Sequence, residues 1–243
     1  MNLRLNNKLK ILFTGGDGRL CTEFKKFNND NFIFLNKKEL DITNIKSIES
    51  AFSKYSFDYI LHSAALSRPM NLHDKFPNES IKTNIIGTSN LVTFCNDFKK
   101  KLIYISTDYV YSGSKYKHTE ESPVLPTNRY SWSKLGGEAA VNLCNDFLIL
   151  RVGMVEFPFP HKKAFNNVVK SSVWSDKLPK MILNVIYENG IINLGENEMT
   201  ILEFVKKRNK NIKGIKAGRN VPKYVSMDLG KYLKIINERN KLL

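Results

Sequence analysis

A doubly wound α/β fold around a parallel sheet is what this sequence predicts, and three observations carry the prediction. Short apolar runs alternate with amphipathic stretches over the first two-thirds of the chain. The runs are apolar throughout, as strands covered on both faces are, and lack the in–out alternation of a half-exposed sheet. The first run leads directly into a glycine-rich turn and then a helical pattern, the opening of a βαβ unit.

Taken in order, residues 10–14 (KILFT) form the first strand and 19–27 the first helix. Residues 32–35 (FIFL) form a second strand, and 45–55 a helix in which Ile45, Ile48 and Phe52 recur at helical spacing. Residues 59–65 (YILHSAA) read as a strand and 79–98 as one long helix, with Ile81, Ile85, Leu91 and Phe94 on its inner side. A strand at 102–106 (LIYIS), a helix at 130–144 and a strand at 147–152 (FLILRV) follow. The run from Glu156 to Pro160 (EFPFP) breaks regular structure. Beyond it the pattern loosens to a helix near 177–188, a short strand at 190–194, a helix from Ile201 and another near 228–237. The chain therefore divides into a dinucleotide-binding Rossmann-type domain, residues 1–155, and a small substrate lobe, residues 156–243, that leans on the sheet.

Composition narrows the function. With 243 residues, 42% of them hydrophobic and 11% aromatic, the chain has material for a core and does not read as disordered. The first ten residues are too polar for a signal peptide, and no apolar run reaches the length of a membrane span. Three scattered cysteines, Cys21, Cys95 and Cys144, predict neither a metal nor a redox pair, and the four histidines are equally dispersed. The expectation is a cytoplasmic protein with no metal and no membrane partner. A net charge of +15 raises nucleic-acid binding, but the excess is mostly lysine spread over the chain and accompanies no nucleic-acid motif. Nucleic acid is not expected as a partner. The positive field suits an anionic substrate and a phosphorylated cofactor.

The turn after the first strand reads Thr14-Gly15-Gly16-Asp17-Gly18-Arg19-Leu20-Cys21. Backbone N–H groups at a helix N-terminus can receive a pyrophosphate there, so Gly15, Asp17, Gly18, Arg19 and Leu20 are candidate cofactor contacts. Gly15 permits a tight turn and Gly18 a close backbone approach. Cys21 replaces the third glycine of the usual spacing, where helix meets strand and a small thiol is tolerable. An ordinary glycine turn is the competing reading of the motif. The end of the second strand decides the cofactor. An acid there suits NAD, whereas this chain carries Asn36-Lys37-Lys38, with Arg19 as a second phosphate partner. NADPH is therefore favoured and NAD stays open.

Tyr130-Ser131-Trp132-Ser133-Lys134 opens a helix and sets the tyrosine and lysine one turn apart on one face. An ammonium beside a phenol favours phenolate, so the tyrosine is expected to have a lowered pKa and to pass a proton near neutral pH. Tyr111-Ser112-Gly113-Ser114-Lys115 repeats the spacing on a glycine-containing loop, where no helix aligns the two side chains; it is read as a decoy.

Together with the glycine loop, Leu40-Asp41-Ile42-Thr43, Ser63-Ala64-Ala65, Asn84 before Gly87-Thr88, Ile105-Ser106-Thr107-Asp108-Tyr109-Val110-Tyr111, YSWSKLGGE and LILR make the chain resemble the extended short-chain dehydrogenase/reductase family. Within it, the resemblance is to the dTDP-4-dehydrorhamnose reductases and related nucleotide-4-ketosugar reductases, and it runs from about residue 10 to 155. It implies that Asp41 and Ile42 flank the adenine, that Ala64 and Ala65 line the ribose and that Asn84 sits beside the catalytic centre. It further implies that Thr107 hydrogen-bonds the substrate carbonyl, that Tyr130 donates the proton, and that Lys134 holds the ribose and tunes Tyr130. Val152 and Gly153 would end beside the nicotinamide. Arg68, Asp108 and Tyr109 are the candidates on the substrate side. Each of the minor positions has an ordinary structural alternative.

Related 4,6-dehydratases carry T-D-E and the epimerase-reductases a cysteine at the third position. Here the triplet is Thr107-Asp108-Tyr109, as in the reductases. The implied reaction is reduction of the C4 ketone of a nucleotide-activated 4-keto-6-deoxysugar. The chain is short for that family in its substrate lobe, so neither sugar nor nucleotide follows, and a homodimer is left open. The rivals are a 4-epimerase that holds NAD tightly and a non-catalytic, cofactor-binding regulatory subunit.

Overall fold

The computed structural model describes residues 9–27, 30–114, 117–219 and 221–241. Strands β1 (Ile11–Thr14), β2 (Phe32–Leu35), β3 (Tyr59–His62), β4 (Lys101–Thr107) and β5 (Phe147–Val155) pair in the order β2-β1-β3-β4-β5, every pair parallel. Alternate residues of β1 explain why two faces must be covered: Ile11 and Phe13 enter one core, Leu12 the other. On the first face lie α1 (Arg19–Lys25) and α7 (Leu178–Val185), and on the second α2 (Ile45–Lys54) and α5 (Gly87–Asp97). Asn44 caps α2 by accepting from Lys46 N, and Asn128 caps α6 (Arg129–Val141) by accepting from Ser131 N.

Beyond β5 come β6 (Lys163–Phe165), β7 (Val169–Lys170), β8 (Ser172–Trp174), β9 (Gly190–Leu194), β10 (Met199–Thr200), β11 (Lys213–Ile215) and β12 (Tyr224–Val225). β9 pairs the first half of β5 and β8 its last three residues, which completes a seven-stranded sheet. β7 lies between β10 and β12 in a small three-stranded sheet. Helix α8 (Ile201–Lys206) starts with a capping box between Thr200 and Glu203, and α9 (Gly230–Lys241) lays Tyr232 and Ile235 against the first core.

Three expectations are corrected. The long helix at 79–98 is interrupted: after the short α3 (Leu72–Lys75) and α4 (Pro77–Ser80), Ile81–Ile86 forms a π-turn before α5 begins. The extra residue per turn brings Asn84 to the inside, buried, as π-bulges often do at functional sites. The third strand ends at His62, three residues early, and β5 runs three residues longer than expected, to Val155. Cys95 and Cys144, distant in the sequence, lie within hydrogen-bonding reach of each other. Both stay free, and a hydrogen bond from the Cys95 thiol brings that of Cys144 down to about 7. Among the described residues no helix is long and apolar enough to cross a membrane, and no cluster of metal-ligating side chains is found.

Candidate active site

β2 and β3 flank β1 on opposite sides, so the chain reverses direction across the sheet between β1 and β3 and opens a crevice at their carboxyl ends. Gly15 turns there with φ +76°, in the left-handed region, and a Cβ on it would lie 3.0 Å from the Ala64 backbone. Gly16, which sequence reasoning passed over, presses on β2, with an added Cβ 2.7 Å from the Leu35 carbonyl carbon. Gly18 begins α1 in extended conformation without a side-chain cap, which leaves the first-turn N–H groups to an anion. Asp17 is exposed in this loop. Leu20 and Cys21 are buried in the first core, so only the backbone of Leu20 belongs to the loop; burial pushes the Cys21 thiol up to about 11.

A cavity of about 280 Å³ opens beside the loop, lined among others by Gly15, Lys37, Asp41, Ile42, Ala64 and Ala65. Asn36 shapes its rim: the side chain accepts from Lys38 N and Glu39 N, while Glu39 takes Asn36 N–H. Asp41 closes a turn by accepting both the N–H and hydroxyl of Thr43. Burial works against its charge, but these bonds prevail and the carboxyl sits below its ordinary range. Lys37 reaches within 4.0 Å of Asp41 with its side chain 82% exposed. Arg19 departs from expectation. It turns to the β5 side, 3.4 Å from Glu156 and 3.3 Å from Ser67, because Glu156 offers a carboxylate there; Arg68 shares that carboxylate at 2.8 Å. Beneath the crevice, buried His62 bridges Thr14 Oγ1 (2.8 Å) and Thr88 Oγ1 (3.0 Å), and burial lowers it to about 3.

The other end of the crevice is built by β4 and α6. Thr107 ends β4, its hydroxyl donating to Asp108 Oδ1 at 3.2 Å and accepting from Tyr109 N. The Thr107 hydroxyl stands beside the Tyr130 phenol and favours its ionised form. Lys134 follows one turn along α6, buried, its ammonium 4.0 Å above the Tyr104 ring. Asn84 ties these parts together through Leu66 N, Leu66 O and Ser133 Oγ. His73, unnoticed in the sequence, packs its ring 5.1 Å from that of Tyr130. Helix α6 is bolted to the sheet by a buried Arg151–Glu138 pair at 2.8 Å, to which Ser106 adds a hydrogen bond.

The electrostatics correct the expected tyrosine. Burial pushes Tyr130 up to about 12, with Asp108 adding to the rise, and the cation that opposes it is Lys170. Lys134 is itself brought down to about 7 by burial, against the pull of Glu138. Asp108 is fully buried behind Thr107 and is no surface for a substrate. β5 runs on past Val152 and Gly153: the Val152 side chain enters the core, and Gly153 faces Asp108 and Lys170. In the decoy pair, Lys115 lies outside the described residues. Tyr111 is buried with its hydroxyl at Asn193 and Arg151.

Residues 9–177 match the family model described as RmlD substrate binding domain. The chain is 33% identical over 184 residues to dTDP-D-glucose 4,6-dehydratase of Dictyostelium discoideum, covering 56% of this chain and 42% of that protein. It is 28% identical over 142 residues to methionine adenosyltransferase 2 subunit beta of Rattus norvegicus, covering 54% and 42%. The chain spans about half the length of the curated relatives it matches. Among solved structures, dTDP-4-dehydrorhamnose reductase from Bacillus anthracis, in complex with NADP, superposes with a TM-score of 0.80 at 23% identity, covering 90% of each chain.

Proposed function

The chain belongs to the RmlD substrate binding domain family, and from that membership together with the crevice we propose that it reduces the C4 ketone of a nucleotide-activated 4-keto-6-deoxysugar with NADPH. The observation that carries this reading is the Tyr130 phenol beside the Thr107 hydroxyl, with Lys134 one turn on, at one end of a crevice whose other end is a nucleoside-sized cavity. A dinucleotide fits these residues. Leu40 and Ile42 offer the cavity apolar surface, Lys37 and Asp41 a polar rim, and the Gly15 turn brings bare backbone to where phosphates would lie.

When bound, the cofactor supplies the hydride. The protein's part is to hold the ketone oxygen between two hydroxyls: Thr107 orients it, and Tyr130 O–H donates the proton as charge develops there. Tyr130 sits in the first turn of α6, where the helix dipole favours the phenolate left behind. Lys134, brought down to about 7 by burial, would hold a ribose hydroxyl and return a proton to Tyr130. Lys37 and Lys38 favour a 2′-phosphate, while Glu39, the nearest acid, lies a few residues late and accepts the Asn36 N–H. The working compartment under this reading is the cytoplasm.

NADPH oxidation screened across nucleotide-4-keto-6-deoxysugars tests the proposal; oxidation with none of them defeats it. A second reading is favoured by the similarity to methionine adenosyltransferase 2 subunit beta: a cofactor-binding subunit without turnover. Tight NADPH binding without oxidation of any ketosugar would select it.

A further inference from the structure

Lys170 enters the centre from β7, beyond the EFPFP break, and no motif marks it. Its ammonium lies 2.9 Å from Asp108 Oδ2, and the two side chains are only 8% and 1% exposed. It also stands 4.0 Å above the Tyr109 ring. Charges so deeply buried persist only as a pair. The other Asp108 oxygen takes the Thr107 hydroxyl, which stands beside Tyr130, so Lys170, Asp108, Thr107 and Tyr130 follow one another in a line. β5 closes the wall as bare backbone. A Cβ at Gly153 would come 2.8 Å from Asp108 Oδ2 and 3.4 Å from Lys170 Cε.

Reduction of a ketone places negative charge on the oxygen that Thr107 and Tyr130 face. A bare carboxylate directly behind Thr107 would repel that charge and retain the Thr107 proton. We propose that Lys170 is a positioning residue of the catalytic centre, which neutralises Asp108 so that Thr107 and Tyr130 can stabilise a developing oxyanion. The proposal rests on the reductase reading. The ionisable groups around the pair are Tyr130 from α6, which faces Asp108, and Tyr109, whose ring faces Lys170, while β5 presents Gly153. Burial drives the Asp108 carboxyl above its ordinary range, and Lys170 is the principal group opposing that rise. Without Lys170 the carboxyl is therefore expected to hold a proton more readily and to release it as the pH rises.

Lys170→Met, Lys170→Arg and the double variant Asp108→Asn with Lys170→Met provide the test, each checked by thermal melting. Infrared spectra need no turnover: Lys170→Met should show the C=O stretch of a neutral carboxyl at pH 7. That band should fade on raising the pH and be missing from Lys170→Arg and the double variant. Over the same pH range, kcat of Lys170→Met should fall about tenfold while KM holds, a basic limb that the double variant recovers. A folded Lys170→Met with no such band, or with the band but no limb in an active protein, overturns the proposal. If the band titrates but the unmodified chain reduces no ketosugar, the reductase reading fails while the neutralisation of Asp108 by Lys170 stands. Should Lys170→Met not fold, the double variant decides: its folding supports the pairing, and equal instability overturns it.

Discussion

The two ends of the crevice treat charge in opposite ways. At the cavity end, Lys37 is 82% exposed and its carboxylate neighbour Asp41, 29% exposed, stands 4.0 Å away. At the chemical end, the Lys134 and Lys170 side chains are sealed from solvent and the nearest carboxylates are sealed with them. Screening makes an exposed pair weak and dependent on salt, whereas burial makes an unpaired charge expensive and a protonation state responsive to each neighbour. Affinity and cofactor preference at the first end can thus be adjusted by single surface residues. Reactivity at the second end depends on a set of groups that must change together.

The largest expected effect is at the buried end. Tyr130→Phe keeps the ring against His73 but removes the proton donor, so turnover should fall by about 10² to 10⁴ while NADPH binding survives. Steady-state rates on an accepted ketosugar, with calorimetry for the cofactor, check this; an undiminished rate would mean that another acid, Tyr109 first, does the work.

A smaller effect lies beneath the crevice and extends the comparison to stability. His62 is buried and neutral in the fold, with its pKa brought down to about 3, whereas an exposed histidine titrates near 6.5. Below 6.5 the unfolded chain binds a proton that the folded chain refuses, so stability should decline by up to about 1.4 kcal/mol per pH unit between those values. Above 6.5 this contribution is fully present. Urea melts from pH 7 to 4 should show the decline, and His62→Gln should flatten it. An equally steep decline in His62→Gln would assign the acid sensitivity to other groups.

The smallest effect belongs to the exposed end. Replacing Lys37 and Lys38 with alanine should narrow the preference for NADPH over NADH by roughly fivefold, about 1 kcal/mol, and less at high salt. Folding stability should barely move. Equal calorimetric affinities of the unmodified chain for the two cofactors would refute the 2′-phosphate assignment outright.

The first five strands, the glycine turn and the helix carrying Tyr130 and Lys134 were legible in the sequence, because each rests on neighbours within a few residues; of the seven strands beyond β5 only β9 was. Apolar periodicity records which faces are covered, Gly15 records a left-handed turn, and a spacing of four places two side chains on one helical face. The tertiary structure alone decided the rest. The side to which Arg19 turns depends on Glu156 at the end of β5, and the inward rotation of Asn84 depends on a π-turn that hydrophobic spacing does not distinguish from an α-helix. The Tyr130 phenol was expected to be acidified by Lys134, four residues away, but burial raises it, and the cation that counters this comes from β7. Such effects depend on distance and exclusion of water, which chain folding sets between segments that carry no local signal of each other.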